Sequence, residues 1–78
     1  MNKDAIRNII ESTLKSGAKT PALFDIPKVL KVRSKLESSE SIDEIISILE
    51  ESRPLICKAF GVDDQAYTES VNKIKAQA

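Results

Sequence analysis

The stretch Ser41-Ile42-Asp43-Glu44-Ile45-Ile46-Ser47-Ile48-Leu49-Glu50-Glu51-Ser52-Arg53-Pro54-Leu55-Ile56-Cys57-Lys58-Ala59-Phe60-Gly61 decides the fold. Its first four residues read as a capping box, with Ser41 and Glu44 satisfying each other's backbone donors. Ile42, Ile45, Ile46, Ile48 and Leu49 then recur on a wide arc, with Asp43, Glu44, Ser47, Glu50 and Glu51 opposite. That period belongs to a helix, not a strand. Pro54 removes one helical hydrogen bond. The apolar phase survives it: at about 100° per residue, Ile56 and Phe60 return to the face of Ile42, and Pro54 falls on the polar side. The spacing predicts one helix from Ile42 to Phe60, bent at Pro54. The competing arrangement breaks at Ser52, with Ser52 capping a new helix. Gly61 ends the segment in either case.

Three further helices are expected around this one. Upstream, Ile6, Ile9, Ile10 and Leu14 mark an apolar face from about Asp4 to Ser16. Gly17 sits where a left-handed residue would end that helix. Thr20-Pro21 suggests a short turn over Ala22-Leu23-Phe24, and Leu23 or Phe24 is expected to plug the core. Asp25 is a candidate N-cap for a helix from Ile26 to Ser38, with Pro27 in its first turn. Val29, Val32 and Leu36 form its inner stripe, and Lys28, Lys31 and Lys35 a basic stripe beside it. Downstream, a cap at Asp63 or Asp64 opens a helix carrying Tyr67, Val71, Ile74 and Ala78 at steps of four, three and four. No run alternates long enough for a strand. The fold class is all-α: residues 1–78 as a single helical domain, a small four-helix bundle with a long third helix.

Composition narrows the function classes. The chain has 78 residues, 12 Lys+Arg against 12 Asp+Glu, no His, 41% apolar residues and 31% charged ones. The apolar share is too high for a disordered tail, and the charge is too dense for a membrane span, so no membrane partner is expected. No apolar stretch of signal-peptide length follows Met1-Asn2-Lys3-Asp4, so secretion by that route is not expected. The single Cys57 cannot close an internal disulfide, which points to a reducing compartment and a cytoplasmic location.

Charge is distributed unevenly along the chain. Up to Ser39 there are eight cations and four anions, a net +4; beyond it there are four cations and eight anions, a net −4. Basic segment two can pack beside acidic segment three with rim charges paired. Alternatively, a basic face can meet the acidic face of a neighbour, as in a homodimer. The wide apolar arc of segment three reads first as that of a central core helix, and in so short a chain it can also continue into a partner.

Chemistry finds little support. The commonest general base is absent with histidine. The carboxylates of Glu50-Glu51 and Asp63-Asp64 are neighbours in sequence and diverge on a helix. Cys57 reads as a small apolar residue at the edge of the core. Gly17 and Gly61 stand alone, so no phosphate-cradling loop is formed, and no metal-ligand cluster appears. Neither metal nor cofactor is expected, and an enzyme is not.

Glu40-Ser41-Ile42-Asp43, at the head of an acidic helix, together with chain length and helix count, is similar to acyl carrier proteins. That resemblance implies Ser41 as the attachment site of a phosphopantetheine arm. It also implies Asp43, Glu44, Glu50 and Glu51 as the face that partner enzymes read. Glu40 stands where that family has aspartate, Ser38-Ser39 occupies the region of its glycine, and a basic helix replaces its long loop.

The leading expectation is a small non-enzymatic helical module for protein–protein interaction: an adaptor, assembly factor or regulator. Its candidate contact residues are Lys28, Lys31, Lys35, Glu44, Glu50 and Glu51. The alternative is a nucleic-acid-binding regulator using the basic helix face, which predicts steep salt dependence. A carrier modified at Ser41 comes third.

Overall fold

The computed structural model describes residues 2–77. It contains four helices: α1 (Lys3–Lys15), α2 (Ile26–Ser38), α3 (Ile42–Phe60) and α4 (Asp64–Lys75). The described residues are 75% helical and contain no strand. The extensive helix contacts are α1 with α4, α4 with α3, and α3 with α2. The packing order is therefore α1–α4–α3–α2, and the helices at its two ends are α1 and α2.

The long helix runs unbroken through Pro54, with no break at Ser52. Ser52 is buried, whereas Pro54 is exposed, so the proline ring costs the core nothing. The capping box is present with one change. Ser41 Oγ accepts from the Glu44 amide at 3.2 Å, but Glu44 Oε2 accepts from the amide of Glu40, at 3.4 Å, not from that of Ser41. Gly61 closes the helix in the left-handed conformation at φ 65°. Its amide and that of Val62 both donate to the Cys57 carbonyl. This is the glycine C-cap geometry that satisfies terminal carbonyls.

Gly17 has a different role from the one its position suggests. Gly61 is the only described residue with positive φ, so α1 does not end in a left-handed turn. Gly17 is small because α3 ends against it: a Cβ built there would lie 2.0 Å from the Phe60 carbonyl oxygen. The following amides use that proximity. Lys19 N donates to the Phe60 carbonyl at 3.0 Å and Ala18 N to the Gly61 carbonyl at 3.4 Å. The exit of α1 is thus stitched to the end of α3. At the other end of α1, Asn2 Oδ1 caps the helix by accepting from the Ala5 amide.

The core is built from Ile6 of α1, Ile45, Leu49 and Ile56 of α3, Val62, and Tyr67, Val71 and Ile74 of α4. Ile74 is fully enclosed, so the predicted stripe of α4 is confirmed through Ile74; Ala78 lies outside the described residues. Tyr67 carries its hydroxyl into this core and donates to the Leu49 carbonyl at 2.6 Å. On α2, Val29 and Leu36 pack against the cluster, but both stay half-buried, as does Val32. No residue of α2 is fully buried. Asp25 precedes the helix in a helical conformation and makes no side-chain capping bond.

The expectation that Leu23 or Phe24 plugs the core is overturned. The turn forms, with Asp25 N donating to the Ala22 carbonyl at 2.9 Å. Yet Leu23 is 79% exposed and Phe24 86%. The stitch at Lys19 anchors the chain to the end of α3 just before this turn, and the turn itself stays at the surface.

Candidate interaction surfaces

Two surfaces stand out. The first is a groove between the end helices. Because α1 and α2 do not close on each other, an apolar cavity of about 310 Å³ remains between them. Ile6, Ile10 and Leu14 form the α1 wall, at steps of four. Val29, Leu30 and Leu36 form the α2 wall, and Leu49, Ile56 and Val71 lie at the floor. Lys3, Arg7, Glu11, Arg33 and Glu37 stand at its edge. Lys3 Nζ donates to the Glu37 carbonyl at 3.1 Å and ties the two walls together at one end. Arg7 pairs with Asp4 at 3.8 Å and Arg33 with Glu37 at 3.5 Å, both exposed and worth little to stability.

The second surface is the apolar tip of the α1–α2 connection. Leu23, Phe24, Ile26 and Leu30 are exposed large apolar side chains. Cations surround them in sequence: Lys19 before, Lys28 and Lys31 after, all exposed. On a helix drawn at about 100° per residue, Lys28, Lys31 and Lys35 occupy one flank of α2, and Ile26 and Leu30 the other. None of these lysines takes part in an ion pair among the described residues. The pairing of basic α2 with acidic α3 is therefore absent from the described ion pairs.

The three acidic candidates on α3 do not form one patch. Glu44 caps its own helix. Glu50 binds Arg53 through both oxygens, at 3.0 and 3.3 Å. Glu51 is exposed and makes no ion pair among the described residues. Glu44 and Glu51, two turns apart, share a row, whereas Glu50 lies about 100° away on the side of α4.

Arg53 was not singled out by sequence, yet it is the most connected side chain on the surface. It donates to Glu50, to Asp64 Oδ1 at 3.0 Å and to Thr68 Oγ1 at 2.8 Å. Its guanidinium lies 4.9 Å from the centroid of the Tyr67 ring. These contacts clasp α3 to α4 and hold the guanidinium firmly protonated, through the Glu50 bond first and the Asp64 bond second. An arginine on the polar face of an amphipathic helix carries no signal for such a role until the neighbouring helix is placed.

The remaining candidates sit in structural positions. Ser41 is half-buried at the head of α3 and its hydroxyl oxygen caps the helix. Cys57 is half-buried, and burial pushes its thiol up, with Asp64 adding to the effect and Arg53 opposing it. A raised thiol is a poor nucleophile at neutral pH. No group of side chains suited to hold a metal ion occurs among the described residues, and none of their helices is long and apolar enough to cross a membrane. No protein-family model, curated protein or solved structure matches the chain.

Proposed function

We propose that the protein is a small helical interaction module of the cytoplasm, and that the groove between α1 and α2 receives an amphipathic helix from a partner protein. The observation that carries this reading is the apolar cavity of about 310 Å³ left open between two helices. A bundle whose end helices stay apart keeps part of its core reachable. The α1 wall presents Ile6, Ile10 and Leu14 one turn apart, which is the ridge spacing a packed helix meets. The edge carries both signs of charge, so register can be set there by rim pairs. The lone, half-buried Cys57 fits a reducing compartment.

The test is a photo-crosslinking residue placed at Leu30 in the native host, with the captured segment then made as a peptide. The expected result is an amphipathic helix whose binding moves the amide resonances of Ile10, Leu14 and Leu36, and which Ile10→Glu abolishes. Peptide binding that leaves those amides in place and survives Ile10→Glu overturns the proposal.

A further inference from the structure

The tip of the α1–α2 connection adjoins the groove at Leu30 and poses its own question. Leu23 and Phe24 are adjacent, and with exposures of 79% and 86% they project from the surface. Ile26 and Leu30 continue the apolar surface along one flank of α2. Between Lys15 and Ser38 the chain carries Lys15, Lys19, Lys28, Lys31, Arg33 and Lys35 against only Asp25 and Glu37. Arg33 and Glu37 neutralise each other, which leaves the lysines without ion-pair partners among the described residues. Projecting apolar side chains with unpaired lysines before and after them along the chain combine two attractions: burial of apolar surface and attraction to negative charge.

We propose that this tip docks the protein onto an anionic phospholipid bilayer, with Leu23 and Phe24 entering the headgroup–acyl boundary and Lys19, Lys28 and Lys31 on the lipid phosphates. The docking is peripheral; no span is involved. Charge decides among the occupants. A second copy meeting the first tip to tip would bring two sets of lysines together, which like-charge repulsion opposes. A nucleic acid would satisfy the lysines but leave Leu23 and Phe24 in water, because the phosphates offer no apolar cover. A fluid bilayer accepts a projecting pair without a preformed pocket, and its anionic headgroups match the lysines. The proposal rests on Leu23, Phe24, Lys19, Lys28 and Lys31, none of which lines the groove.

The chain has no tryptophan, so Phe24→Trp installs a single reporter at an exposed site. Mixed with vesicles of phosphatidylcholine and phosphatidylserine, its emission is expected to shift to the blue and to be quenched by brominated acyl chains. Vesicles of phosphatidylcholine alone are expected to give far less. In the reporter background, Leu23→Ser is expected to weaken binding about tenfold. Removing one lysine, as in Lys28→Gln or Lys31→Gln, is expected to weaken it about fivefold, with high salt acting in the same direction. Circular dichroism of each variant verifies the helical fold, which exposed positions should preserve. Emission that stays at its aqueous wavelength on the mixed vesicles overturns the proposal. So does equal binding to both vesicle types, or a shift produced by RNA or by the groove-binding peptide but not by lipid. Loss of peptide binding in the groove leaves these readings unchanged, so the two proposals fail separately.

Discussion

At the scale of single residues, Gly17 shows how a small side chain can be required without any unusual backbone angle. Replacing glycine by alanine usually stabilises a compatible site by about 0.4–1 kcal/mol, because the unfolded chain loses freedom. At Gly17 the sign reverses, since the new methyl group would meet the Phe60 carbonyl. Gly17→Ala is expected to destabilise the fold by about 2 kcal/mol, in the range of overpacked sites. A urea titration checks it: an unchanged or raised midpoint would show that the exit of α1 can move away from α3. The sequence displays a glycine at a helix end, and the ordinary reading of that position is a left-handed cap. The contact with Phe60 lies 43 positions along the chain, beyond the reach of local patterns. Leu23 and Phe24 were misplaced for the same reason. Hydrophobicity says what a side chain prefers, but the stitch from Lys19 to Phe60 decides where the chain can go.

At the scale of elements, the helices differ in how deeply they are set. Both α3 and α4 supply several fully buried residues, joined by the Arg53 clasp and by the hydroxyl of Tyr67. By contrast, α2 contributes only half-buried side chains and makes its extensive contact with α3 alone. Local opening follows buried contact. Native-state hydrogen exchange is expected to show α2 amides exchanging earlier than those around Leu49, Ile56 and Val71. Equal protection in α2 and α4 would contradict this order. The existence of all four helices was readable from period, and Ile42 to Phe60 was bounded by Ser41 and Gly61 alone; Asp25 and Asp63 do stand before α2 and α4, but neither makes a side-chain capping bond. What could not be read was the packing order. Amphipathic faces state that each helix buries a side, not which neighbour covers it. The groove between α1 and α2 follows from that order, so it was illegible too.

At the scale of the whole molecule, one buried and one half-buried group tie stability to alkaline pH. Burial raises the Tyr67 phenol well above its ordinary range and pushes the Cys57 thiol up. In each case the folded state favours the protonated, neutral form. The stabilisation is therefore fully present below the ordinary values, about 8.5 for cysteine and about 10 for tyrosine, and is lost as pH rises beyond them. With no histidine, no side chain of that type titrates between about pH 5 and 8. Urea midpoints are expected to decline from about pH 8.5 upward, more steeply above about pH 10. Tyr67→Phe should cost about 1 kcal/mol at neutral pH through the lost bond to the Leu49 carbonyl, and should remove the steeper limb. A steep limb that persists in Tyr67→Phe would assign it to other groups.

The stitch between Lys19 and Phe60 also bears on how the protein can be handled. With the register of α1 fixed before Thr20, and α2 beginning at Ile26, the intervening residues form a short strap whose ends are anchored independently. Exposed straps of this kind accept added chain with little effect on the folded body. An epitope or a cleavage sequence spliced between Ala22 and Leu23 should leave the four rods assembled, and would offer a cut site that opens the connection while α1 and α2 stay packed.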